Sequence, residues 1–387
     1  MKRARIGLCL LLVFTCSSGV FGGTSAQTST RRTASASQPT STVSHKESFE
    51  EISAAASKAK DENRDDEAIA LYERALQFRP DWSEGLWFDG VLQFGKSKYP
   101  ETRDLMRRLI TQQPNAGPAA ALLGMSEFQI RDYSRALEHL QRARELGVGD
   151  RKELAQSVYY YSSVLLTRFQ RYDDATTLLF AMARSGYPTE ALVEPVGLAV
   201  LRYPFLPAEI PPDRRDMFRT AGQATLAVEA QRRDEAEKLL SSLVSAYGQE
   251  PGVHFLYGVF LLDVRPEDGV KELKEELNVA PFNLTAKLRL AEEYLKEEKP
   301  DDALRLADEV IKVDLNYSSA YLVRGEALVA KDDLAKGIAA LETSRKLKPD
   351  VVRTHWDLLR AYTAAGRSED ALREKQEIER LRRPEAP

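Results

Sequence analysis

Thiols are almost absent from this chain. Its 387 residues include two cysteines, Cys9 and Cys16, both close to the N-terminus. Beyond Cys16, disulfides, cysteine metal sites and thiol catalysis are all excluded. A chain without thiols also suits an oxidising compartment. Histidine is scarce as well. His45, His139, His254 and His355 lie far apart and share no metal-ligand spacing. No G-x-S-x-G elbow, phosphate loop or dinucleotide fingerprint occurs. Gly147-Val148-Gly149-Asp150 reads as a turn, since a lone glycine pair makes no phosphate cradle. No cofactor, no metal and no enzymatic activity are therefore expected. An excess of one charge sign is missing too: 55 basic residues face 59 acidic ones, for a net charge of −4. That mild acidity argues against nucleic acid as a partner, which would need a basic stripe. After the first segment no apolar run reaches the about 20 residues of a membrane span.

The start of the chain has its own composition. Lys2, Arg3 and Arg5 precede the apolar run Ile6 to Phe14, and small residues follow up to Thr24-Ser25-Ala26. This order predicts a secretory signal peptide over residues 1–26, cut after Ala26 or, alternatively, nearer Gly19. Loss of its three basic residues leaves the remainder at −7. An uncleaved anchor is one competing reading. Another is a bacterial lipoprotein signal: Val13-Phe14-Thr15-Cys16 loosely resembles one, with Cys16 as the lipidated residue, although Thr15 fits poorly. The expected location is exported, periplasmic or secreted, with membrane contact only through such an N-terminal anchor. Residues 27–48 are rich in Ser and Thr with almost no large apolar side chain. They bury too little to offset their ordering entropy, which predicts a disordered linker.

From Phe49 onward one pattern recurs every 34 residues. Ala68, Tyr72, Ala75 and Pro80 close its first copy; Thr102, Met106, Leu109 and Pro114 the second; Ala136, Leu140 and Ala143 the third. It returns as Ala303, Ala307 and Val310, as Gly337, Leu341, Ser344 and Pro349, and as Ala371, Lys375 and Ile378. Within a copy, Ile52, Ala55, Ala56 and Ala59 fall on one helix face, Asn63 to Asp66 form a turn, and Ala68, Tyr72 and Ala75 form the stripe of a second helix. Pro80 ends it. Ala56, Gly90, Gly124, Gly258, Ala291 and Gly325 stand where paired helices must approach closely.

These residues resemble the tetratricopeptide repeat (TPR) family, whose 34-residue pattern places a small residue in the first helix and A-x₃-F in the second. The resemblance covers roughly Phe49 to Pro384. It implies an all-α, right-handed superhelical solenoid of helix-turn-helix repeats. About ten slots can be counted. The expected organisation is N-terminal repeats over 49–188, a degenerate repeat with a Pro-rich loop over 189–216, and C-terminal repeats over 217–384. Four prolines between Pro204 and Pro212 break the pattern. Phe205, Leu206 and Ile210 in that break are expected to plug the edge of a truncated slot or, alternatively, to form a third partner-binding surface. Paired acids such as Asp65-Asp66, Asp173-Asp174, Asp301-Asp302 and Asp332-Asp333 precede second helices, where capping and the helix dipole account for them.

The resemblance also implies function: a non-enzymatic scaffold that holds a protein or peptide on its first helices, which line the concave face. On that face stand Trp87, Val91 and Phe94, then Met125 and Phe128, then Tyr160 and Val164. Aromatic and methionine side chains are common binding anchors, and equally common core residues, so this stripe is groove or core. Toward the C-terminus the face becomes charged, with Glu292, Lys296, Glu326 and Arg360, and Trp356 as its anchor. Some relatives grip a terminal carboxylate with Lys and Asn; Asn283 and Asn316 fall in turns here, which argues against that mode. Two other roles stay open: an envelope-assembly lipoprotein anchored through Cys16, and an accessory subunit of an envelope export or biosynthesis complex.

Overall fold

The structure, a computed structural model, describes residues 48–382. The signal peptide, Cys9, Cys16, nearly all of the linker and Pro384 lie outside the described residues. Among the described residues the chain is all-α: nineteen α-helices, two short 3-10 turns and no strand. It divides at Leu165/Leu166 into two units. The first holds α1 (Phe49–Asp61), α2 (Asp65–Phe78), α3 (Ser83–Gly95), α4 (Tyr99–Gln112), α5 (Gly117–Gln129) and α6 (Tyr133–Leu146). Helix α7 (Lys152–Arg168) crosses the division. The second unit continues with α8 (Tyr172–Arg184), α9 (Thr189–Val200), α10 (Arg215–Glu229), α11 (Arg233–Tyr247), α12 (Val253–Leu262) and α13 (Pro266–Val279). It ends with α14 (Leu284–Lys296), α15 (Pro300–Val313), α16 (Ser318–Ala330), α17 (Leu334–Leu347), α18 (Val352–Ala364) and α19 (Ser368–Leu381). Each unit is a stack of antiparallel helix pairs, and first helices begin at Phe49, Ser83, Gly117, Leu284, Ser318 and Val352, where the spacing predicts them.

Local chemistry explains where the helices start and stop. Ser48 and Glu51 form a capping box on α1: the Glu51 N–H donates to Ser48 Oγ (3.2 Å) and the Ser48 N–H to the Glu51 carboxylate (2.9 Å). First helices end in a left-handed residue, at Asn63, Ser97 and Arg131 in the first unit. The next N–H then reaches back to the helix: Arg64 to Ala59 O (2.8 Å), Lys98 to Gln93 O (2.9 Å) and Asp132 to Glu127 O (2.9 Å). Glu298, Asp332 and Gly366 repeat the device in the second unit. Only Gly366 is glycine among these six, and a side chain in this conformation costs about 1–2 kcal/mol. Asp65, Asp66, Asp173, Asp174, Asp301 and Asp302 sit in the first turns of second helices, facing the positive helix end. Side-chain capping belongs to Asp333 alone of the acids singled out above; its neighbour Asp332 is the left-handed turn residue.

The core lies between the helices of each pair. In the first unit Ala56, Ala59, Ala68 and Tyr72 pack together, and Gly124 lets α5 rest on Leu140 and the Ala136 carbonyl. In the second unit Leu273, Leu290, Ala291, Ala307, Val310 and Val323 form part of one continuous cluster. Glu276 on α13 is buried in that unit yet fully used. Its carboxylate accepts from the N–H groups of Gly252 (2.9 Å) and Phe255 (3.1 Å) at the start of α12, and from the Asn283 side chain (2.8 Å). One side chain thus caps the preceding helix and ties down the following turn.

The proline-rich break replaces the second helix of the α9 slot. After Tyr203, two 3-10 turns (Pro207–Glu209 and Pro212–Arg214) lead directly into α10. Leu206 and Ile210 are buried, and Ile210 packs with Leu198, Leu201, Met217 and Phe218. The segment therefore plugs the slot, as its apolar residues predict. Arg168 fastens it by donating to Pro204 O (3.0 Å) and Glu209 (2.9 Å). With no second helix between them, α9 and α10 meet backbone to backbone. A Cβ on Gly197 would lie 1.9 Å from Phe218 O, and one on Gly222 1.9 Å from Val193 O.

Candidate partner-binding surfaces

In the first unit the expected aromatic stripe divides. Trp87, Val91 and Phe94 on α3, Phe128 on α5 and Tyr160 on α7 are half-buried. Met125 and Val164 are buried and belong to the interior, which corrects their assignment to a surface. The reason is local. Ala119, Ala120, Ala121 and Gly124 make α5 narrow; it packs against α4 and α6, and ten of its thirteen residues, Met125 among them, are buried. The remaining aromatics hold one another. Phe128 lies 4.7 Å from Tyr161 and 5.6 Å from Tyr133 between ring centroids, Tyr160 is 5.7 Å from Tyr161, and Phe94 meets Tyr99 edge-on at 5.4 Å. Trp87 stands apart from them, with the Arg151 guanidinium over its ring at 5.6 Å. Beneath this stripe α3 buries two polar groups, Asp89 and Gln93. The Gln93 amide donates to Glu73 (3.1 Å). Burial, and then the charge of Glu73, push the Asp89 carboxyl up to about 7.

The second unit offers an open groove of about 410 Å³ along α14, α16 and α18. Leu295 and Ala330 are its apolar lining; Arg289, Glu292, Lys296, Glu326, Arg353 and Arg360 supply the charge. Arg353 organises it. Its guanidinium holds Glu326 with two bonds (3.0 and 2.8 Å) and reaches Glu292 on the third helix (2.8 Å). Arg289 also donates to Glu292 (3.0 Å), Lys296 to Glu293 (2.8 Å), and Arg360 pairs with Asp357. Acids form the floor and cations the rim: Glu292 and Glu326 are half-buried and, beside the groove, Asp357 and Glu293 are buried, whereas Arg353, Arg360 and Lys296 are exposed. Trp356 is exposed on α18 but does not line the groove. Arg353 and Arg289 escaped the sequence reading. A usable signal existed, because Arg353 and Arg360 are seven residues apart and fall on one helix face.

Burial, and then the neighbouring Asp357 carboxylate, push Glu326 up to about 8, with Arg353 acting against them. The folded unit therefore holds a proton that the unfolded chain, with an ordinary glutamate near 4.3, gives up. The stability tied to that proton is full below about pH 4 and is lost as pH rises through about 8. Glu326→Gln is expected to flatten this slope. Thermal unfolding of both proteins between pH 5 and pH 9 checks it, since parallel curves would contradict the assignment.

Histidine serves packing. His139 Nδ1 meets Glu127 (2.6 Å), His254 Nδ1 meets Glu272 (2.5 Å) and His355 Nδ1 meets Glu374 (2.6 Å), each across a helix pair. The bond from Glu127 raises His139 above the usual imidazole range. Among the described residues no group of three or more His, Cys, Asp or Glu could hold a metal ion, and no helix is long and apolar enough to cross a membrane.

Comparison with known proteins agrees with this hairpin geometry. The profile of the tetratricopeptide repeat family matches residues 121–191 and 288–350. No curated protein matches the chain. Solved structures of MamA are similar to part of it. A fragment of MamA from Desulfovibrio magneticus RS-1 is 19% identical over 42% of this chain and 90% of that one, with a TM-score of 0.37. MamA of AMB-1 is 22% identical over 41% and 94%, with a TM-score of 0.36. A further MamA crystal structure is 16% identical over 44% and 98%, with a TM-score of 0.38. Likenesses this distant add nothing about function. The two matched segments, the 34-residue phase and the stacked helix pairs together support a tetratricopeptide repeat protein and, with it, a protein-interaction scaffold.

Proposed function

We propose that the chain is an exported, non-enzymatic scaffold that holds a protein or peptide segment against its first helices, chiefly in the groove of α14, α16 and α18. The observation that carries the reading is the floor-and-rim arrangement around Arg353. Half-buried Glu292 holds Arg353, and buried Asp357 and Glu293 hold Arg360 and Lys296, so the rim pays little ordering entropy when a partner binds. The signal-like residues 1–26 and the lack of thiols after Cys16 support export. A short peptide should bind at about micromolar strength, or about −8 kcal/mol.

The test is a crosslinking pull-down from native cells with three proteins: wild type, Arg353→Glu/Arg360→Glu, and Trp87→Ala/Phe128→Ala. Loss of the partner in the arginine variant alone is the expected result. Loss only in the aromatic variant would move recognition to the first unit. Retention in both would sink the first-helix reading. Mass spectrometry of the mature N-terminus addresses export: a chain starting at Gln27 supports a cleaved signal, diacylated Cys16 the anchored form, and an intact Met1 neither.

A further inference from the structure

The most exposed large apolar side chains among the described residues fall at two successive turns between hairpins. Phe282 is 86% exposed, Leu315 69% and Val313 64%. Phe282 lies in the turn between α13 and α14; Val313 and Leu315 lie at the next such junction, between α15 and α16. The 34-residue phase makes Leu315 the counterpart of Pro281, and Val313 that of Val279. All three therefore project from the edge built by the inter-hairpin turns, about 8–10 Å apart along it. They do not line the groove of the first helices.

Charge follows the same edge. Lys312 flanks the second turn, and Lys346 and Lys348 flank the third. All three are exposed. Lys271, Lys287 and Lys299 of this unit are held by carboxylates at 2.6–3.0 Å, whereas these three enter no ion pair among the described residues. Asp314, between the two apolar residues, is half-buried and accepts from the Asn316 N–H (2.8 Å). Asp350 is the exposed acid that remains, against three lysines.

We propose that this edge of the second unit docks on an anionic phospholipid surface. Phe282, Leu315 and Val313 would enter the headgroup boundary, and the lysines would lie against lipid phosphates. Protruding tips on separate turns suit a fluid interface better than a protein. Three side chains of at most about 200 Å² each fall far below the about 1,200 Å² of a stable protein interface. Apolar insertion and anionic attraction add together in such contacts.

The experiment is co-sedimentation of the mature chain with two vesicle types: phosphatidylcholine alone, and phosphatidylcholine with about 30% phosphatidylglycerol. Wild type should bind the anionic vesicles, and partitioning should fall at least about tenfold in Phe282→Ser/Leu315→Ser. Lys312→Glu/Lys346→Glu should weaken it and reduce its dependence on salt. A Phe282→Trp variant should show a blue-shifted emission, quenched by brominated lipid, only with anionic vesicles. All substituted residues are exposed, and circular dichroism checks that each variant keeps its helices. No binding by wild type, equal binding by the serine variant, or equal binding to both vesicle types would overturn the proposal. So would sedimentation velocity showing a dimer that the serine variant abolishes, which would assign the edge to a second copy of the chain.

Discussion

A single methyl group at position 197 is expected to destabilise the second unit by about 3 kcal/mol, the upper end of ordinary overpacking. The new Cβ would stand 1.9 Å from the Phe218 carbonyl oxygen, and backbone cannot rotate out of the way as a side chain can. Helices α9 and α10 would have to separate, opening the cluster of Leu198, Met217, Phe218 and Ala221. Gly222→Ala should act alike, because it strikes the Val193 carbonyl across the same contact. The double variant should cost less than the sum, since one separation relieves both clashes. Gly95→Ala is the control: a Cβ there meets nothing within 4 Å. Urea unfolding gives the magnitude, and hydrogen exchange the location. Contacts in a repeat stack are nearest-neighbour, so protection should fall around α9 and α10 and persist from α14 to α19. Uniform loosening would contradict the stacked picture.

Glu276→Ala should cost a similar about 3 kcal/mol for the opposite reason, a deletion. It leaves the buried Gly252 N–H, the Phe255 N–H and the Asn283 amide without their acceptor. Glu276→Gln keeps one oxygen and should cost clearly less. The two substitutions separate hydrogen bonding from volume. Equal losses in urea unfolding would mean that packing of the side chain matters and its bonds do not.

Regular repeats are easy to read because each helix obeys its own local signals. Small residues at Gly90, Gly124 and Gly325 mark close pairing, and Pro80 and Pro114 mark exits. Leu206 and Ile210 revealed the plug, since apolar residues in a segment that cannot be helical need something to cover them. The surface was less legible. Helical spacing gives the face of a residue but not how tightly neighbours close over it. Met125 and Trp87 look alike in the pattern, yet α5 is buried over most of its length, Met125 included, while α3 leaves Trp87 half-open. Arg353 was missed because its role depends on Glu292, sixty-one residues earlier, and on the stacking that brings the two together. Position within a repeat is local information; a brace across three repeats is not.

The left-handed turns carry a last consequence, for engineering. Asn63, Ser97, Arg131, Gln170, Arg202, Gln231, Glu298 and Asp332 all carry side chains in a conformation that glycine adopts freely. The sites are well separated, so gains from glycine there should accumulate nearly independently. A more heat-resistant version of this protein can therefore be written at its turns, leaving every side chain of the groove and of the lysine-flanked edge as it is.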